Sequence, residues 1–338
     1  MEPLTVLSLI QLTEDHRKML QSLPLPITVH VLPDVPFEDL PAEVRAQAGV
    51  LFGNGALLPQ APKFPRLQWV QTASAGVDRL IGTPLWDTDI AITTASGIHA
   101  TPIAERALAM MLAFRAQLPR LWDFKQRKEW PEARWGMFDN PGLRGATLGI
   151  VGYGAIGGEL ARQADALGMR VLAMNRSGQR RSMTGYLEPG VGDREIRLPE
   201  KMYATSDLPE MLAECDHVVM LTPLTAETHQ MINAAAIAAM KSSAYFYNFG
   251  RGGLVDETAL IAALRSGSVA GAGLDVFAQE PLPPESPLWD MSNVIISPHV
   301  GGMSAHYDVR AASVLIENMK RFVNQQPLLN LVDRQFGY

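Results

Sequence analysis

The chain has 338 residues, enough for two globular domains, and its 47% hydrophobic and 19% charged residues are typical of a soluble protein. No apolar run of about eighteen residues could cross a bilayer, and the acidic start Met-Glu-Pro-Leu-Thr is unlike a signal peptide, which predicts a cytoplasmic protein. The net charge of −6 argues against nucleic-acid binding, and the single cysteine excludes an internal disulfide and a clustered-cysteine metal site, so we predict no metal.

Short apolar strand patterns alternate with helical patterns over the first hundred residues. The predicted strands span residues 5–10, 27–32, 49–52, 68–72 and 90–93, and a predicted helix spans residues 14–23. This alternation indicates a small parallel α/β domain.

A long helix is predicted next. Thr101 suits the N-cap and Pro102 the first helical position, and the helical pattern continues over residues 103–128 with a kink expected near Pro119. Its first half is apolar on all sides and should therefore be buried on all sides. We expect this helix to cross between domains and to pack against a second subunit.

A glycine turn follows a predicted strand at residues 148–151. Gly152, Gly154 and Gly157 have the G-x-G-x-x-G spacing, and a helix at 159–167 and a strand at 169–174 come after them. The first glycine permits the tight turn, the second lets backbone approach a pyrophosphate, and the third lets the helix pack closely. The whole unit predicts a dinucleotide site.

The second strand of this unit ends on Asn175, Arg176 and Ser177, where a carboxylate would bind the ribose of NAD. A guanidinium binds phosphate well, so we predict NADP(H) in preference to NAD(H). The alternative is that Arg176 is a solvated loop residue and the ribose is held by backbone, in which case NAD(H) is also used.

The remaining pattern completes a doubly wound parallel sheet. The predicted helices span residues 208–213, 234–240 and 257–266, and the predicted strands span 217–221, 244–248, 270–276 and 293–297. Residues 178–204 have no clear period and predict a long surface loop. A last helix at 304–324 is expected to return to the first domain, so the predicted domains are 1–101 with 304–338, and 102–303.

Three chemically complementary residues follow strands of the second domain. They are Arg251, Glu280 and His299, and the carboxyl ends of parallel strands line the ligand crevice. Histidine can exchange a proton near neutral pH, a nearby carboxylate stabilises its imidazolium form, and arginine forks onto a carboxylate. These are the groups that reduction of a 2-oxo acid requires. Taken one at a time, each residue has an equally good structural explanation. Arg251 could form a surface ion pair, Glu280 could be a loop carboxylate, and His299 could be a capping or core histidine.

Five segments together carry a family resemblance. They are the glycine motif, Thr-Pro-Leu-Thr at 222–225, Asn-Phe-Gly-Arg-Gly-Gly at 248–253, Gly-Leu-Asp-Val-Phe at 273–277 with Glu280, and Ser-Pro-His-Val-Gly-Gly at 297–302. Their order resembles the D-isomer-specific 2-hydroxyacid dehydrogenases over nearly the whole chain. The resemblance implies a Rossmann cofactor domain and a smaller, discontinuous flavodoxin-like substrate domain. It also implies that Arg251 binds the substrate carboxylate and carbonyl, that His299 is the acid/base, and that Glu280 pairs with His299.

The resemblance also implies the binding residues. The substrate would meet Ala75, Gly76, Val77, Arg251 and His299. The cofactor would meet Gly152, Tyr153, Gly154, Ala155, Ile156, Gly157, Asn175, Arg176, Ser177, Thr222, Pro223, Thr228, Phe249, Gly250, Arg251, Asp275, His299 and Gly301. The family's dimer forms largely through the cofactor domain, which suits the apolar helix after Pro102.

The leading hypothesis is NADPH-dependent reduction of glyoxylate, hydroxypyruvate or a bulkier 2-oxo acid to a D-2-hydroxy acid. Asn175-Arg176-Ser177 and the segment 280–289 are similar to those of NADP(H)-dependent glyoxylate and hydroxypyruvate reductases. One alternative is oxidation of another anion, such as phosphite, by the same residue types. The other is a cofactor-sensing binding protein that resembles transcriptional corepressors.

Overall fold

The computed structural model describes residues 3–337, and their contacts divide them into two compact units. Unit 1 contains the residues up to Ile98, Thr184–Glu188 and the residues from Ser304 onward. Unit 2 contains His99–Met183 and Pro189–Met303. Met1 and Glu2, which contribute to the argument against a signal peptide, lie outside the described residues. Among residues 3–337, no helix has the length and apolarity needed to cross a bilayer.

Unit 1 is built on a five-stranded sheet whose strands are all parallel. Its elements in chain order are β1 (Leu4–Ser8), α1 (Glu14–Gln21), β2 (Ile27–Val31), α2 (Ala42–Gln47), β3 (Ala48–Gly53), β4 (Trp69–Thr72) and β5 (Ala91–Thr93). The strand order β2-β1-β3-β4-β5 is the flavodoxin-like order. The predicted fold of the smaller domain is therefore confirmed.

Unit 2 is built on a seven-stranded parallel sheet. Its elements are α3 (Ala100–Arg115), α4 (Leu118–Arg127), α5 (Arg134–Met137), β6 (Thr147–Val151), α6 (Ala155–Ala166), β7 (Arg170–Met174), β8 (Lys201–Tyr203), α7 (Leu208–Glu214), β9 (His217–Met220), α8 (Ala234–Ala238), β10 (Tyr245–Asn248), α9 (Glu257–Ser266), β11 (Gly271–Leu274) and β12 (Val294–Ile296). The strand order β12-β11-β10-β9-β6-β7-β8 reverses direction between β6 and β9, as in a Rossmann fold. The predicted doubly wound class is confirmed.

The last helix, α10 (Tyr307–Val323), belongs to unit 1. Its buried face, which includes Val314 and Leu315, packs with Val6 and Trp69 of the sheet. Asn318 is fully buried on this face, where its amide donates to Gln71 Oε1 at 2.9 Å. Short 3-10 helices complete the structure at Phe37–Asp39, Leu58–Lys63, Thr205–Asp207, Gly252–Leu254 and Pro287–Asp290.

The predicted long helix is wrong in two respects. It begins at Ala100, with His99 as the N-cap residue, so that Thr101 and Pro102 lie within its first turn. It ends at Arg115, and a second helix begins at Leu118 after Gln117, which has a left-handed φ of 51°. Pro119 is accommodated in the first turn of this second helix, where its missing N–H costs nothing, and no kink is needed.

The predicted loop at 178–204 has more structure than its sequence shows. Lys201–Tyr203 forms β8, the edge strand beside β7, and Ser177 bridges to Ala204. Thr184–Glu188 belongs to unit 1, where the Tyr186 N–H donates to Asn330 Oδ1 at 3.0 Å. The flanking parts of the loop belong to unit 2. The conformation of this loop is therefore set by contacts with residues distant in the chain, and the local sequence pattern does not predict it.

His217 on β9 makes the stability of unit 2 depend on pH. Its ring is fully buried, and burial, followed by the positive charge of Arg115, lowers the pKa of His217 to about 4 from 6.5. Between pH 6.5 and 4 the unfolded chain binds a proton that the folded chain does not bind, so the free energy of unfolding falls as the pH falls. We expect His217 to account for a loss of about 3 kcal/mol across this window.

Urea unfolding at pH 7 and pH 4.5 tests this expectation with His217→Gln, which cannot titrate. The variant should lose less stability on acidification than the parent protein does. An equal loss in both proteins would show that His217 is not the responsible group. His30→Gln, on the edge strand β2, is the control for removal of a half-buried histidine.

Candidate active site

Three neighbouring parallel strands of unit 2 end at one edge of its sheet. These strands are β10, β11 and β12, and they are followed by Arg251, Glu280 and His299 respectively. The structure joins two of these side chains directly, because His299 Nδ1 lies 2.6 Å from Glu280 Oε2. Both side chains are partly exposed, so the pair is accessible to a substrate.

The pairing fixes how the imidazole presents its two nitrogens. An ionised carboxylate can only accept hydrogen bonds, so Nδ1 of His299 donates to Glu280. The other carboxylate oxygen, Oε1, accepts the backbone N–H of Phe277 at 3.1 Å, which holds Glu280 in place. Nε2 on the opposite edge of the ring is then the nitrogen that can exchange a proton with a bound molecule.

The turn that carries His299 has an uncommon backbone. His299 has a φ of 53°, in the left-handed region that non-glycine residues adopt at a cost of about 1 kcal/mol. Buried Asp275, the residue after β11, compensates for this cost. Its carbonyl accepts the N–H of His299 at 2.8 Å, and its carboxylate accepts those of Val300 and Gly301 at 3.0 and 2.9 Å.

Ser297 adds a further anchor, because its hydroxyl also donates to the Asp275 carboxylate. A Cβ on Gly301 would lie 2.6 Å from that carboxylate, so only glycine allows this approach. The structure thus shows Asp275 holding the His299 turn, whereas its contact with a cofactor remains a prediction.

The Arg251 turn is held in a similar way by Asn248. The Asn248 amide donates to the Arg251 carbonyl and accepts the Gly250 N–H, both at 3.0 Å. Gly252 then lies against the segment that leads to Glu280, since an added Cβ would be only 1.8 Å from the Phe277 carbonyl oxygen. This close approach brings the Arg251 turn beside the turn that carries Glu280. Arg251 itself is half-buried, and its Nη1 donates to the Gly250 carbonyl at 2.9 Å.

The glycine turn between β6 and α6 fits a dinucleotide. A Cβ on Gly152, which has a φ of 102°, would lie 2.7 Å from Thr222 N, and a Cβ on Gly157 would lie 2.9 Å from the Gly152 carbonyl oxygen. By contrast, no described atom beyond its own chain neighbours lies within 4 Å of the place where a Cβ on Gly154 would stand. Gly154 therefore leaves open space at the start of α6, where the first helical N–H groups, including those of Ala155 and Ile156, can bind an anion.

The other predicted cofactor segments border the same turn. A Cβ on Gly250 would lie 2.9 Å from the Thr222 carbonyl oxygen, and Phe249 is buried beside Gly301. Pro223 is exposed, and its carbonyl accepts the Thr228 hydroxyl at 2.7 Å. The Thr228 side chain thus has a partner within its own turn. Its predicted contact with a cofactor stays a prediction.

Tyr153 connects the glycine turn to the 178–204 loop. Its hydroxyl donates to Asp193 at 2.8 Å, and burial followed by this hydrogen bond raises the pKa of Tyr153 well above its usual value. Asp193 in turn accepts the backbone N–H groups of Arg197 and Leu198. The predicted contact between Tyr153 and a cofactor would therefore involve its backbone.

The turn after β7 is organised by Asn175. Its side-chain oxygen accepts the N–H groups of Ser177 and Gly178 at 3.1 and 2.8 Å. Arg176 is exposed beside it and lies 3.4 Å from the Glu227 carboxylate. Arg180 donates to the carbonyls of Ile196 and Glu200 and is thus committed to the loop. Arg176 is the exposed arginine of this turn, and its predicted contact with a cofactor stays a prediction.

The predicted substrate segment of unit 1 follows β4. Ala75 is exposed, Gly76 is half-buried, and the Val77 side chain is buried in the core of the unit. Ser74 Oγ donates to the Gly76 carbonyl at 3.1 Å and shapes the turn. Any contact from Val77 to a substrate would come from its backbone, and the role of this segment remains a prediction.

Sequence reasoning missed the residues that support the site. Asn248, Gly252 and Ser297 each lie within three residues of Arg251 or His299 in the chain. Asn248 bonds within its own turn, whereas Gly252 approaches Phe277 and Ser297 bonds to Asp275, both distant in the chain. The one signal available was their position at the end of a strand or in the turn that follows it.

Comparisons with known proteins give consistent results. A family model described as "D-isomer specific 2-hydroxyacid dehydrogenase, NAD binding domain" matches residues 108–301. Glyoxylate/hydroxypyruvate reductase B of Salmonella typhi is 35% identical over 277 residues, which cover 81% of each chain. A crystal structure of a D-isomer specific 2-hydroxyacid dehydrogenase family protein from Aeromonas salmonicida is 31% identical, with a TM-score of 0.79 over 98% of this chain and 99% of that one. The NADPH-dependent glyoxylate/hydroxypyruvate reductase of Sinorhizobium meliloti, in complex with NADP and sulfate, is 27% identical, with a TM-score of 0.77 over 99% of this chain and 100% of that one.

Proposed function

Because this chain belongs to the D-isomer-specific 2-hydroxyacid dehydrogenase family and is therefore an oxidoreductase with an NAD(P)-binding domain, we propose that it reduces 2-oxo acids to D-2-hydroxy acids with NADPH. The observation that carries the proposal is the His299–Glu280 pair. Its Nδ1 to Oε2 distance of 2.6 Å leaves Nε2 for the substrate, beside the Arg251 turn and in the sheet that carries the glycine turn.

Reduction of a 2-oxo acid adds a hydride to C2 and a proton to the carbonyl oxygen. The nicotinamide, when bound, supplies the hydride. His299 donates the proton from Nε2, while the Glu280 carboxylate keeps the ring oriented. Arg251 binds the substrate carboxylate through its two-pronged guanidinium and polarises the carbonyl group. Proton donation, orientation of the imidazole and binding of the substrate carboxylate thus each have one residue at this edge of the sheet.

The experiment that tests this function follows NADPH oxidation against a panel of 2-oxo acids, with phosphite and NADP as a separate arm. The proposal predicts turnover of 2-oxo acids and D-configured products. It is wrong if the 2-oxo acids are inert. Turnover of phosphite in place of the 2-oxo acids would favour the alternative oxidoreductase, and tight cofactor binding with no turnover of either would favour a binding protein.

NADPH preference is proposed from the turn after β7. No carboxylate ends this strand, and Arg176 is exposed in a turn shaped by Asn175 and Ser177. A charge-assisted hydrogen bond contributes about 1.5–3 kcal/mol, so Arg176→Ala should raise the KM for NADPH about 10-fold to 100-fold and leave the KM for NADH nearly unchanged. Arg265→Ala, in the last turn of α9, is the matched control. Comparable kcat/KM values for NADH and NADPH in the parent enzyme would contradict the preference.

We also propose a homodimer formed through unit 2. This unit exposes large apolar side chains along one stretch of chain: Leu112, Leu118, Leu121, Trp122, Trp130 and Trp135. Trp130 and Trp135 are 81% and 84% exposed, which is typical of a surface that another protein covers. Sedimentation should give twice the mass of the chain, and Trp122→Glu should shift it toward the monomer. A parent protein that sediments as a monomer at micromolar concentration would rule out this assembly.

A further inference from the structure

The 178–204 loop contains a buried segment, residues 192–200, that the proposed function does not use. Asp193 is 8% exposed and Ile196 is 3% exposed, although loops normally run over the protein surface. Ile196 also has a φ of 52°, in the left-handed region where a β-branched residue is an outlier. Such a backbone persists only where the surrounding contacts hold it, and it is concentrated at functional sites. We therefore searched these contacts for a role.

The first part of the segment is attached to the glycine turn and to α6. Asp193 accepts the hydroxyl of Tyr153, which lies between the first two glycines of the motif, at 2.8 Å. The Gly192 N–H donates to the Glu159 carboxylate on α6, also at 2.8 Å, and Glu159 is fully buried. Gly158 permits this approach, because an added Cβ would lie 2.8 Å from the Asp193 nitrogen. The glycine that follows the G-x-G-x-x-G motif thus makes room for the segment.

The second part of the segment is attached to the turn after β7. Arg180 Nη1 donates to the carbonyl of Ile196 at 2.7 Å. Just before Arg180 in the chain, the carbonyl of Gln179 accepts the side-chain amide of Asn175 at 2.8 Å. The contact of Arg180 is therefore linked to the turn that contains Arg176. The same short segment thus contacts both turns that the dinucleotide is expected to meet.

Asp193 also joins the two parts of the segment to each other. Its carboxylate accepts the N–H groups of Arg197 and Leu198 at 3.0 and 2.9 Å, and its carbonyl accepts the N–H of Ile196 at 3.0 Å. Buried hydrogen bonds to a charged group are strong, and a partner left without them is costly. One carboxylate therefore fixes the shape of the segment and ties it to Tyr153.

We propose that residues 192–200 hold the glycine turn and the turn after β7 at the separation that NADPH requires, with Asp193 as a positioning residue. The inference rests on the proposed use of NADPH and deepens it. A ligand that contacts both turns gains affinity from their fixed separation, whereas a fragment that contacts only one turn does not. Asp193 acts through Tyr153 and the segment, without a contact of its own to the cofactor.

The test measures Kd by calorimetric titration for NADPH and for adenosine 2′-monophosphate, a fragment that lacks the pyrophosphate. Tyr153→Phe removes one hydrogen bond of Asp193, and Asp193→Ala removes all those of its carboxylate. The Kd for NADPH should rise about threefold in Tyr153→Phe and about tenfold or more in Asp193→Ala, because fewer molecules have correctly spaced turns. The Kd for the fragment should stay within about twofold, because it does not depend on that spacing.

Tyr203→Phe is the matched control. It also removes a tyrosine hydroxyl that donates to a carboxylate in unit 2, that of Glu214, and it should leave the Kd for NADPH unchanged. Thermal unfolding checks that each variant folds, and Tyr153→Phe decides the question if Asp193→Ala does not fold. The double variant should bind NADPH no more weakly than Asp193→Ala does, since the two side chains share one hydrogen bond.

Two results would overturn the inference: an unchanged Kd for NADPH in the variants, or an equal weakening of NADPH and of the fragment. Tighter binding of NADH than of NADPH by the parent protein is a different outcome, because it contradicts the proposed cofactor preference. The comparison would then use NADH and adenosine, and the same two results would decide it.

Discussion

Replacing His299 with alanine is expected to lower kcat by about a hundredfold or more, because general acid catalysis contributes about 10²–10⁴ in rate. The side chain removed is the one whose Nδ1 is 2.6 Å from Glu280 and whose Nε2 would protonate the substrate carbonyl. Binding of NADPH and of the substrate carboxylate should change little, so the KM values should stay within a few-fold. Steady-state kinetics at several pH values measure this effect.

Two further variants test whether the loss of kcat in His299→Ala comes from the missing imidazole at the site. Glu280→Gln keeps the shape of the partner but removes its charge, so its kcat should fall between those of the parent and of His299→Ala. His30→Ala, on the edge strand β2 of unit 1, controls for removal of an imidazole and should retain full activity. Undiminished turnover in His299→Ala would eliminate the proposed mechanism, whatever the behaviour of Glu280→Gln.

Replacing Arg251 is the other change with a large expected effect. Arg251→Ala removes the fork for the substrate carboxylate, and kcat/KM should fall by about a thousandfold, since two charge-assisted hydrogen bonds of about 2 kcal/mol each are lost. Arg251→Lys keeps the charge but cannot form the fork, so it should recover only part of this loss, with a raised KM and a lowered kcat. Kinetics with a fixed 2-oxo acid and saturating NADPH provide the measurement.

Chemical rescue separates the role of the guanidinium from a structural role. Added guanidinium ion should restore part of the activity of Arg251→Ala but not of Arg251→Lys, where the lysine fills the site. Because the backbone of this turn is held by Asn248 and by the close contact between Gly252 and Phe277, both variants should keep the parent thermal stability. Unchanged kinetics in Arg251→Lys would show that Arg251 does not hold the substrate carboxylate.

The sequence predicted most of the fold because its signals are local. Buried strands such as β6 and β9 are short apolar runs, and the glycine spacing after β6 specifies a turn that few other residues could form. The predicted helix boundaries were wrong where two local sequence signals favoured different boundaries with similar strength. At the start of α3, Thr101 and Pro102 suit a cap, yet the helix begins before them. At Pro119, a break between two helices replaces the expected kink.

The candidate site was predicted as a set of residue types with one pairing, Glu280 with His299, and the structure supplied the other connections. That Arg251, Glu280 and His299 follow three strands could be read from the sequence, since each lies within a few residues of the end of an apolar run. Their partners could not be read in this way. The bonds from Asp275 to the His299 turn join residues about 25 positions apart.

By itself, the sequence determined the two-domain α/β class, the glycine turn for a dinucleotide and the three residues proposed for the chemistry, because each depends on residue type and short spacing. Only the tertiary structure decided that His299 adopts a left-handed backbone held by Asp275, that Gly252 must lack a side chain, and that the 178–204 loop contributes residues to both units. The physical reason is that strand and turn preferences are set by neighbours along the chain. Close approaches and buried hydrogen bonds depend instead on where the packed sheet brings distant segments together.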